Sequence, residues 1–489
     1  MTLNQLQALL PQATIKGTLP SEIRGLSYDS RRIRSGDLFF AWKGDKSDGH
    51  QYLLQAVEKG AVGVVVEKIS SALPAHFLQV EVKRVRESLA RIASAFYGEP
   101  SRKMELVGVT GTNGKTTTAF LTKHLLQASG WNPGLIGTIR YEIGDRVIPA
   151  SRTTPEGSDL QELFSQMIKE GSRAAVMEVS SHALDQGRVA GTRFQVVIFT
   201  NLTQDHLDYH GTMEKYFDAK LGLFTGLEEG ASAVVNLDDP RAHAVLKALP
   251  AHVTAITVSA EGKKEATFSA DKVVCHTAGT EFELSYQGAT FAISTPLIGM
   301  FNVANTLCAM ASVRALGVST EEMIDHLADL PQVPGRLEKI TRQDGLTVVV
   351  DYAHTEDALR KTLQTLRDLN PRKLIVVIGC GGNRDTSKRP KMARAAVELA
   401  DLAIFTSDNP RNESATTILE QMEAGVVGFS HYLKIEDRRE AIQKAIQEAH
   451  PSDLVCVAGK GHEITQEIGG RFLSFDDCQV VRDCLGGLS

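Results

Sequence analysis

The chain has 489 residues, enough at about 100–200 residues per domain for three domains, each with its own core. Hydrophobic residues make up 42% and charged residues 23%, a globular composition, and the longest apolar runs are strand-sized, far short of the roughly 20 residues that span a bilayer. The formal net charge of −6 argues against bulk nucleic-acid binding, so neither nucleic acid nor a membrane is expected as a partner.

The first ten residues lack a basic segment followed by an apolar stretch, which gives a cytoplasmic location as the expectation. Nothing calls for an obligate oligomer, and a monomer is expected. Residues 1–100 read as a small α/β unit without a phosphate loop. It holds a short amphipathic start, then Leu26-Ser27-Tyr28-Asp29-Ser30-Arg31-Arg32, Gly36-Asp37-Leu38-Phe39-Phe40-Ala41, Asp48-Gly49-His50 and a buried strand over 61–66. Asp29, Ser30 and Arg31 are residue types that cap a turn.

From about residue 101, apolar runs at 106–109, 174–179, 196–199 and 233–235 alternate with helices. This predicts a mostly parallel sheet covered on both faces, with chemistry at the carboxyl ends of its strands. Residues 266–297 alternate with period two and read as an antiparallel extension, while 301–316 and 320–330 are helical by spacing. The stretch 332–337, with Pro334 and Gly335, reads as a hinge. Strands at 346–350, 374–378, 402–405 and 454–457 then predict a Rossmann-like, doubly wound domain. The domain boundaries expected are therefore 1–100, 101–334 and 335–489. Gly379-Cys380-Gly381-Gly382 follows a strand but lacks G-x-G-x-x-G, so it is weak evidence for a dinucleotide. Cys275, Cys308, Cys380, Cys456, Cys478 and Cys484 form no C-x-x-C pair and read as reduced structural thiols.

The stretch 106–126 carries the most specific chemistry. It runs from an apolar strand through Gly111-Thr112-Asn113-Gly114-Lys115-Thr116-Thr117 into a helix, the layout of a P-loop ATPase-like phosphate site. The two glycines let backbone N–H groups close around phosphate oxygens, Lys115 supplies charge for the β/γ-phosphates, and Thr116 offers a hydroxyl to Mg²⁺. Val109 stands where the strict pattern has glycine. Glu178, at a strand end, suits Mg²⁺ beside Thr116 or is a solvated strand-end acid. Asn201-Leu202-Thr203-Gln204-Asp205-His206-Leu207-Asp208-Tyr209-His210 packs two acids and two histidines after another strand, as a site or as a helix cap by Asp205. Asp218-Ala219-Lys220 stands at the opening of an apolar helix, where a lysine is ordinarily a solvated face.

Taken together, T-G-T-N-G-K-T, E-V-S-S-H-x-L, N-L-T-x-D-H-L-D-Y-H-G, A-K-x-x-L-F, G-x-F-N-V-x-N, P-G-R and D-Y-A-H-T resemble the motifs of the Mur ligase family over essentially the whole chain. The resemblance implies an amino-terminal domain for the UDP end of the substrate, a central ATP domain and a third domain for the incoming amino acid. It makes 111–117 the ATP loop, with Asn302, Asn305, Arg336 and Asp351 as further nucleotide contacts. Mg²⁺ goes to Thr116, Glu178, His206 and Lys220, the last matching a lysine that carries a CO₂-derived carbamate. Lys115, His206 and Lys220 become the catalytic set. On the substrate side it implies Ser30 for uridine and Thr153, Thr154, Ser180, Gln186 and Arg188 for the muramoyl peptide. Asp408-Asn409-Pro410-Arg411 matches the family's diaminopimelate motif, with Arg384, Gly459 and Glu463 as further contacts. A guanidinium at Arg411 suits bidentate grip of a second carboxylate, which lysine lacks. Glu356 stands where the family has proline after D-Y-A-H-T, at a helix start, and Asn412 also departs.

The function so implied is an ATP-dependent amide ligase of peptidoglycan precursor synthesis. It would add meso-2,6-diaminopimelate to the D-Glu of UDP-N-acetylmuramoyl-L-alanyl-D-glutamate through an acyl phosphate. The alternatives are the same ligase adding L-lysine and a folylpolyglutamate synthase-like ligase. A P-loop ATPase that moves a partner would share only the loop and its Mg²⁺ ligands.

Overall fold

The computed structural model describes residues 3–18, 20, 22–44 and 47–486, and Met1 and Thr2 of the amphipathic start lie outside them. Three main sheets follow one another along the chain. The first has the order Thr14–Lys16, Leu78–Glu81, Gly63–Val66, Asp37–Ala41, Gly25–Ser27, parallel except for its first strand. Helix Val85–Phe96 buries one face on this sheet and packs along helix Gly157–Lys169 of the next unit. Tyr28 crosses the same joint, donating to Asp159 Oδ2 at 2.6 Å.

The central sheet has eleven strands among the described residues. Its parallel core runs Phe268–Cys275, Thr254–Ser259, Ser232–Asn236, Val196–Phe199, Glu105–Thr110, Ala174–Glu178, Pro133–Ile136. These strands are apolar on both faces because helices Lys115–Ala128 and Met300–Ala315 cover one side and Gly157–Lys169 and Met213–Thr225 the other. The antiparallel extension is Thr280–Tyr286 with Ala289–Thr295, as the alternation predicts. The other edge carries a second hairpin, Arg140–Ile143 with Arg146–Pro149, turning at Gly144 with φ 54°. Its Gly144-Asp145 pair is the sequence signal for that turn.

Two elements differ from expectation. The helix predicted over 320–330 is Thr320–Ile324 only, because the chain tightens into turns closed by His326 N on Met323 O and Leu327 N on Ile324 O; Leu327 and Leu330 still reach the core. Lys220 does not open a helix: it lies in the third turn of Met213–Thr225, whose start is capped by the Thr212 hydroxyl on Lys215 N.

The third sheet has the order Glu338–Thr341, Thr347–Asp351, Leu454–Ala458, Leu374–Cys380, Leu402–Ser407, Tyr432–Lys434, parallel beyond its first strand and covered on both faces. This is the doubly wound arrangement. Helix Glu356–Asp368 begins at Glu356 with Thr355 as its cap, so the family proline is replaced at a helical first position. All six cysteines are free.

Candidate active site

The phosphate loop leaves the central strand Glu105–Thr110 and enters helix Lys115–Ala128. Gly111 and Gly114 have φ of 151° and 84°, and a Cβ at either would overlap Thr200 Oγ1 or Asn305 Oδ1. The 200–203 segment holds the loop open. Asn201 O accepts from Thr112 N at 2.8 Å, Asn201 Oδ1 accepts from Asn113 N at 2.9 Å, and Thr200 Oγ1 donates to Asn113 O at 2.6 Å. Asn302 Oδ1 accepts from Asn305 Nδ2 at 3.0 Å, and Asn305 Oδ1 accepts from Thr118 Oγ1 at 3.2 Å. Thr117 is buried at the helix start.

Thr116 is the meeting point of two domains. Its hydroxyl donates to Glu178 Oε2 at 3.0 Å and accepts from Arg336 Nη2 at 3.3 Å. Glu178 is 1% exposed, not a solvated strand end. Its carboxylate also accepts from Thr138 N at 2.7 Å and Thr138 Oγ1 at 3.0 Å, and Thr138 Oγ1 lies 3.0 Å from Thr153 Oγ1. Two lysines converge beside it. Lys115 Nζ donates to Gly111 O at 2.9 Å and Thr112 O at 2.8 Å; Lys220 Nζ donates to the same Gly111 O at 2.8 Å. Lys220 is 1% exposed, and burial, with Lys115 adding, drives its pKa well below 10.5. The solvated-face expectation for Lys220 is thereby corrected, since the apolar helix turns this residue onto the loop.

His206 adopts φ 53°, with its ring 4.8 Å from that of His182 and its Nε2 3.6 Å from Asp205 Oδ2. Burial lowers its pKa. Asp205 Oδ1 accepts from His206 N, so a local backbone contact accompanies the titratable cluster. Among the described residues, no group of three or more His, Cys, Asp or Glu is arranged as a metal cage. Mg²⁺ ordinarily takes one or two carboxylates together with phosphate oxygens, so the Thr116–Glu178 oxygen pair fits it better than a closed cage would.

The expected peptide contacts lie next to Glu178. Thr154 Oγ1 donates to Glu178 O at 2.9 Å and accepts from Ser180 N at 3.0 Å. Ser180 caps helix Ser181–Asp185. Arg188 donates to Gln186 Oε1 at 2.6 Å and to Thr154 O at 2.9 Å, and pairs with the buried Glu156 at 3.3 Å. Ser30 is separate, buried in the first unit after Gly25–Ser27, with its carbonyl held by Lys59 Nζ at 2.8 Å. Asp29 does form the expected turn, accepting from Arg31 N at 3.0 Å.

In the third domain Asp351 lies under the hinge. Its carboxylate accepts from Leu337 N at 2.8 Å, Ala353 N at 3.0 Å and Thr362 Oγ1 at 3.0 Å, and burial raises its pKa. Its hydrogen bonds therefore secure the backbone beside Arg336, which stacks 4.7 Å over Tyr352. The 408–411 motif meets the 459–467 segment: Asn409 Nδ2 donates to Glu463 Oε2 at 2.7 Å, and a Cβ on Gly459 would stand 2.9 Å from Asp408 Oδ2. Arg411 Nη1 donates to Gly382 O at 2.8 Å and its Nε pairs with Glu467 at 3.2 Å, which anchors the guanidinium on this turn. Arg384 is exposed on the neighbouring loop. A Cβ on Gly382 would overlap Pro410 O and one on Gly381 would stand 3.0 Å from Arg411 Nη1, so this glycine run serves close approach of the 408–411 turn rather than a dinucleotide.

Sequence reasoning missed several neighbours. Tyr352, under Arg336, has the His462 ring tilted against it at 5.0 Å, Lys460 is wholly buried beside Asn409, and Tyr209 donates to Asp185 at 2.7 Å beside His182. Tyr209 and Tyr352 sit inside quoted motifs, and Lys460 and His462 lie between the expected contacts Gly459 and Glu463, which was the available signal.

A phosphate loop beside a buried carboxylate, reached by an arginine from a doubly wound third domain, defines a multidomain P-loop enzyme. Residues 22–97 match the Mur ligase family catalytic domain, 109–313 the Mur ligase middle domain, and 335–461 the Mur ligase glutamate ligase domain. The chain is 46% identical to a UDP-N-acetylmuramoyl-L-alanyl-D-glutamate--2,6-diaminopimelate ligase of Geobacillus thermodenitrificans, covering 99% of both chains. It is 41% identical to the Listeria monocytogenes protein of the same name, over 98% of this chain and 97% of that one. A solved structure of a ligase so named matches with TM-score 0.72 and 34% identity over 99% of each chain. The protein belongs to the Mur ligase family.

Proposed function

We propose that the protein is an ATP-dependent amide ligase of peptidoglycan precursor synthesis. It joins meso-2,6-diaminopimelate to the γ-carboxylate of D-Glu in UDP-N-acetylmuramoyl-L-alanyl-D-glutamate. The observation that carries this reading is the contact of Arg336 with Thr116 of the phosphate loop, in a chain 46% identical over 99% of its length to a ligase of that name. In this reading 1–100 hold the UDP end, 101–334 bind ATP, and 335–489 bring the amino acid. The reaction runs in the cytoplasm on a monomer.

A carboxylate is a poor electrophile, so its oxygen first attacks the γ-phosphorus and ADP leaves. The deprotonated amine of diaminopimelate then attacks the acyl carbon of the acyl phosphate, and the tetrahedral intermediate expels inorganic phosphate. Lys115 and Arg336 face the transferring phosphoryl group and offset its charge. Thr116, Glu178, His206 and a carbamylated Lys220 would hold Mg²⁺, which would screen the phosphate oxygens. Two observations suit Lys220 to carbamylation: burial favours its neutral, nucleophilic amine, and a carbamate there would be an anion beside the Lys115 ammonium, with which it shares Gly111 O. Thr153, Thr154, Ser180, Gln186 and Arg188 position the muramoyl peptide, and Ser30 the uridine. Asn302, Asn305 and Asp351 support the nucleotide site. Arg384, Asp408, Asn409, Pro410, Arg411, Gly459 and Glu463 take the distal amino-carboxylate centre. Closure of the third domain keeps water from the acyl phosphate.

ADP release by the full chain with Mg²⁺, ATP and the UDP-muramoyl dipeptide tests the reading, comparing meso-diaminopimelate, L-lysine and no amino acid. Dependence on meso-diaminopimelate is expected. Equal use of lysine would overturn the specificity, and turnover indifferent to both substrates would overturn the ligase assignment.

A further inference from the structure

Lys460 is the one wholly buried lysine beside the 408–411 turn, with no exposed side-chain area. Its ammonium has three N–H groups and three acceptors: Thr465 O at 2.7 Å, Glu463 Oε2 at 3.2 Å and Asn409 Oδ1 at 3.3 Å. These acceptors fix one orientation for the head group. They also fix the neighbours. Asn409 Oδ1 accepts from Lys460 and from Glu467 N at 2.9 Å, so its Nδ2 must face Glu463 Oε2, where it donates at 2.7 Å. One oxygen of Glu463 is thus held by two donors, on a side chain that is one-third exposed, which leaves Oε1 for a ligand. A buried ammonium pays a desolvation cost that a purely packing residue would not incur.

We propose that Lys460 is a positioning residue for the amino-acid subsite. It locks the Asn409 amide and aims the free oxygen of Glu463 at the ammonium of the incoming amino acid's distal centre. The guanidinium of Arg411, anchored through Gly382 O and Glu467, lies on the same turn for the distal carboxylate. Lys460 touches no substrate; it acts through Asn409 and Glu463. The inference rests on the diaminopimelate reading above.

The test is steady-state ADP release by the full chain carrying Lys460→Met, which keeps the length and removes the charge. KM for meso-diaminopimelate rises about 10- to 100-fold, the effect of losing a hydrogen bond to a charged group, while KM for ATP and for the UDP-muramoyl dipeptide stays within about twofold. The preference for meso-diaminopimelate over L-lysine in kcat/KM falls with it. A merely structural lysine would instead lower the active fraction alike for all three substrates. Should Lys460→Met not fold, Lys460→Met/Glu463→Gln is compared with Glu463→Gln alone. Equal KM values are expected because one residue acts through the other, and an additive further rise overturns the proposal. An unchanged KM and preference in Lys460→Met also overturn it. Wild-type turnover that ignores meso-diaminopimelate overturns the parent reading first, and the two failures are thereby distinct.

Discussion

Gly335→Ala tests the joint between the 459–463 segment, the proposed amino-acid subsite, and the glycine loop 111–117. Gly335 has φ 64°, and a Cβ there would overlap the His462 amide nitrogen and stand 2.6 Å from Gly461 Cα. These are backbone atoms and cannot rotate away. An ordinary contact begins near 3.4 Å and the His462 nitrogen is the nearest of these atoms, so the hinge bearing Arg336 and the 459–463 segment must part by more than about 1 Å. The left-handed backbone costs an alanine about 1–2 kcal/mol, and overpacking about 1–3 kcal/mol more. At about 2–4 °C per kcal/mol for a domain of this size, Tm falls by at least about 4 °C. Arg336 is the next residue, and its 3.3 Å bond to Thr116 does not survive a shift of that size. Losing this charge-assisted contact lowers kcat about 10- to 100-fold. Calorimetry and ADP release read the two effects on one preparation. Wild-type Tm and kcat in Gly335→Ala would refute both the close approach and the coupling drawn from it.

Lys220→Met lowers kcat at least about 100-fold, yet leaves Tm unchanged or raised, because it removes a buried amine that shares Gly111 O with Lys115; a large fall in Tm would refute the desolvation argument. Burial, with Arg336, His354 and Lys460 adding, holds His462 at about 4 instead of 6.5. The unfolded chain therefore binds more protons between these values, and stability is lost as pH falls from about 6.5 through about 4, by at most about 3 kcal/mol. Urea midpoints across that window check this, and His462→Gln should flatten the profile. Arg438 and Asp477 form a wholly buried bidentate pair at 2.7 Å on each arm. Arg438→Met strands the Asp477 charge and costs about 3–5 kcal/mol by urea unfolding, whereas adding Asp477→Asn should recover much of the loss.

The sequence by itself determined the glycine turn from strand Glu105–Thr110 into helix Lys115–Ala128 and the parallel core around it. Those features are local: a glycine turn after an apolar strand, and apolar runs of strand length between helical ones, have few other foldings. Lys220 shows where local reading stops. Its helix is amphipathic in either case, and only packing against the phosphate loop turns what spacing reads as a solvated face into a buried amine. The motifs singled out Asp351 but not its bonds to Leu337, Ala353 and Thr362, since those depend on how the hinge folds back over its strand. The motifs singled out Asp408–Arg411, Gly459 and Glu463, but tertiary structure alone decided that their loops meet. Strand Leu374–Cys380 lies between Leu402–Ser407 and Leu454–Ala458, so the loops bearing Gly382, Arg411 and Glu463 leave the same edge of a parallel sheet as neighbours. Residues about 30 to 80 positions apart in the chain come within hydrogen-bonding reach because strand order, which no local pattern encodes, puts their carboxyl ends side by side.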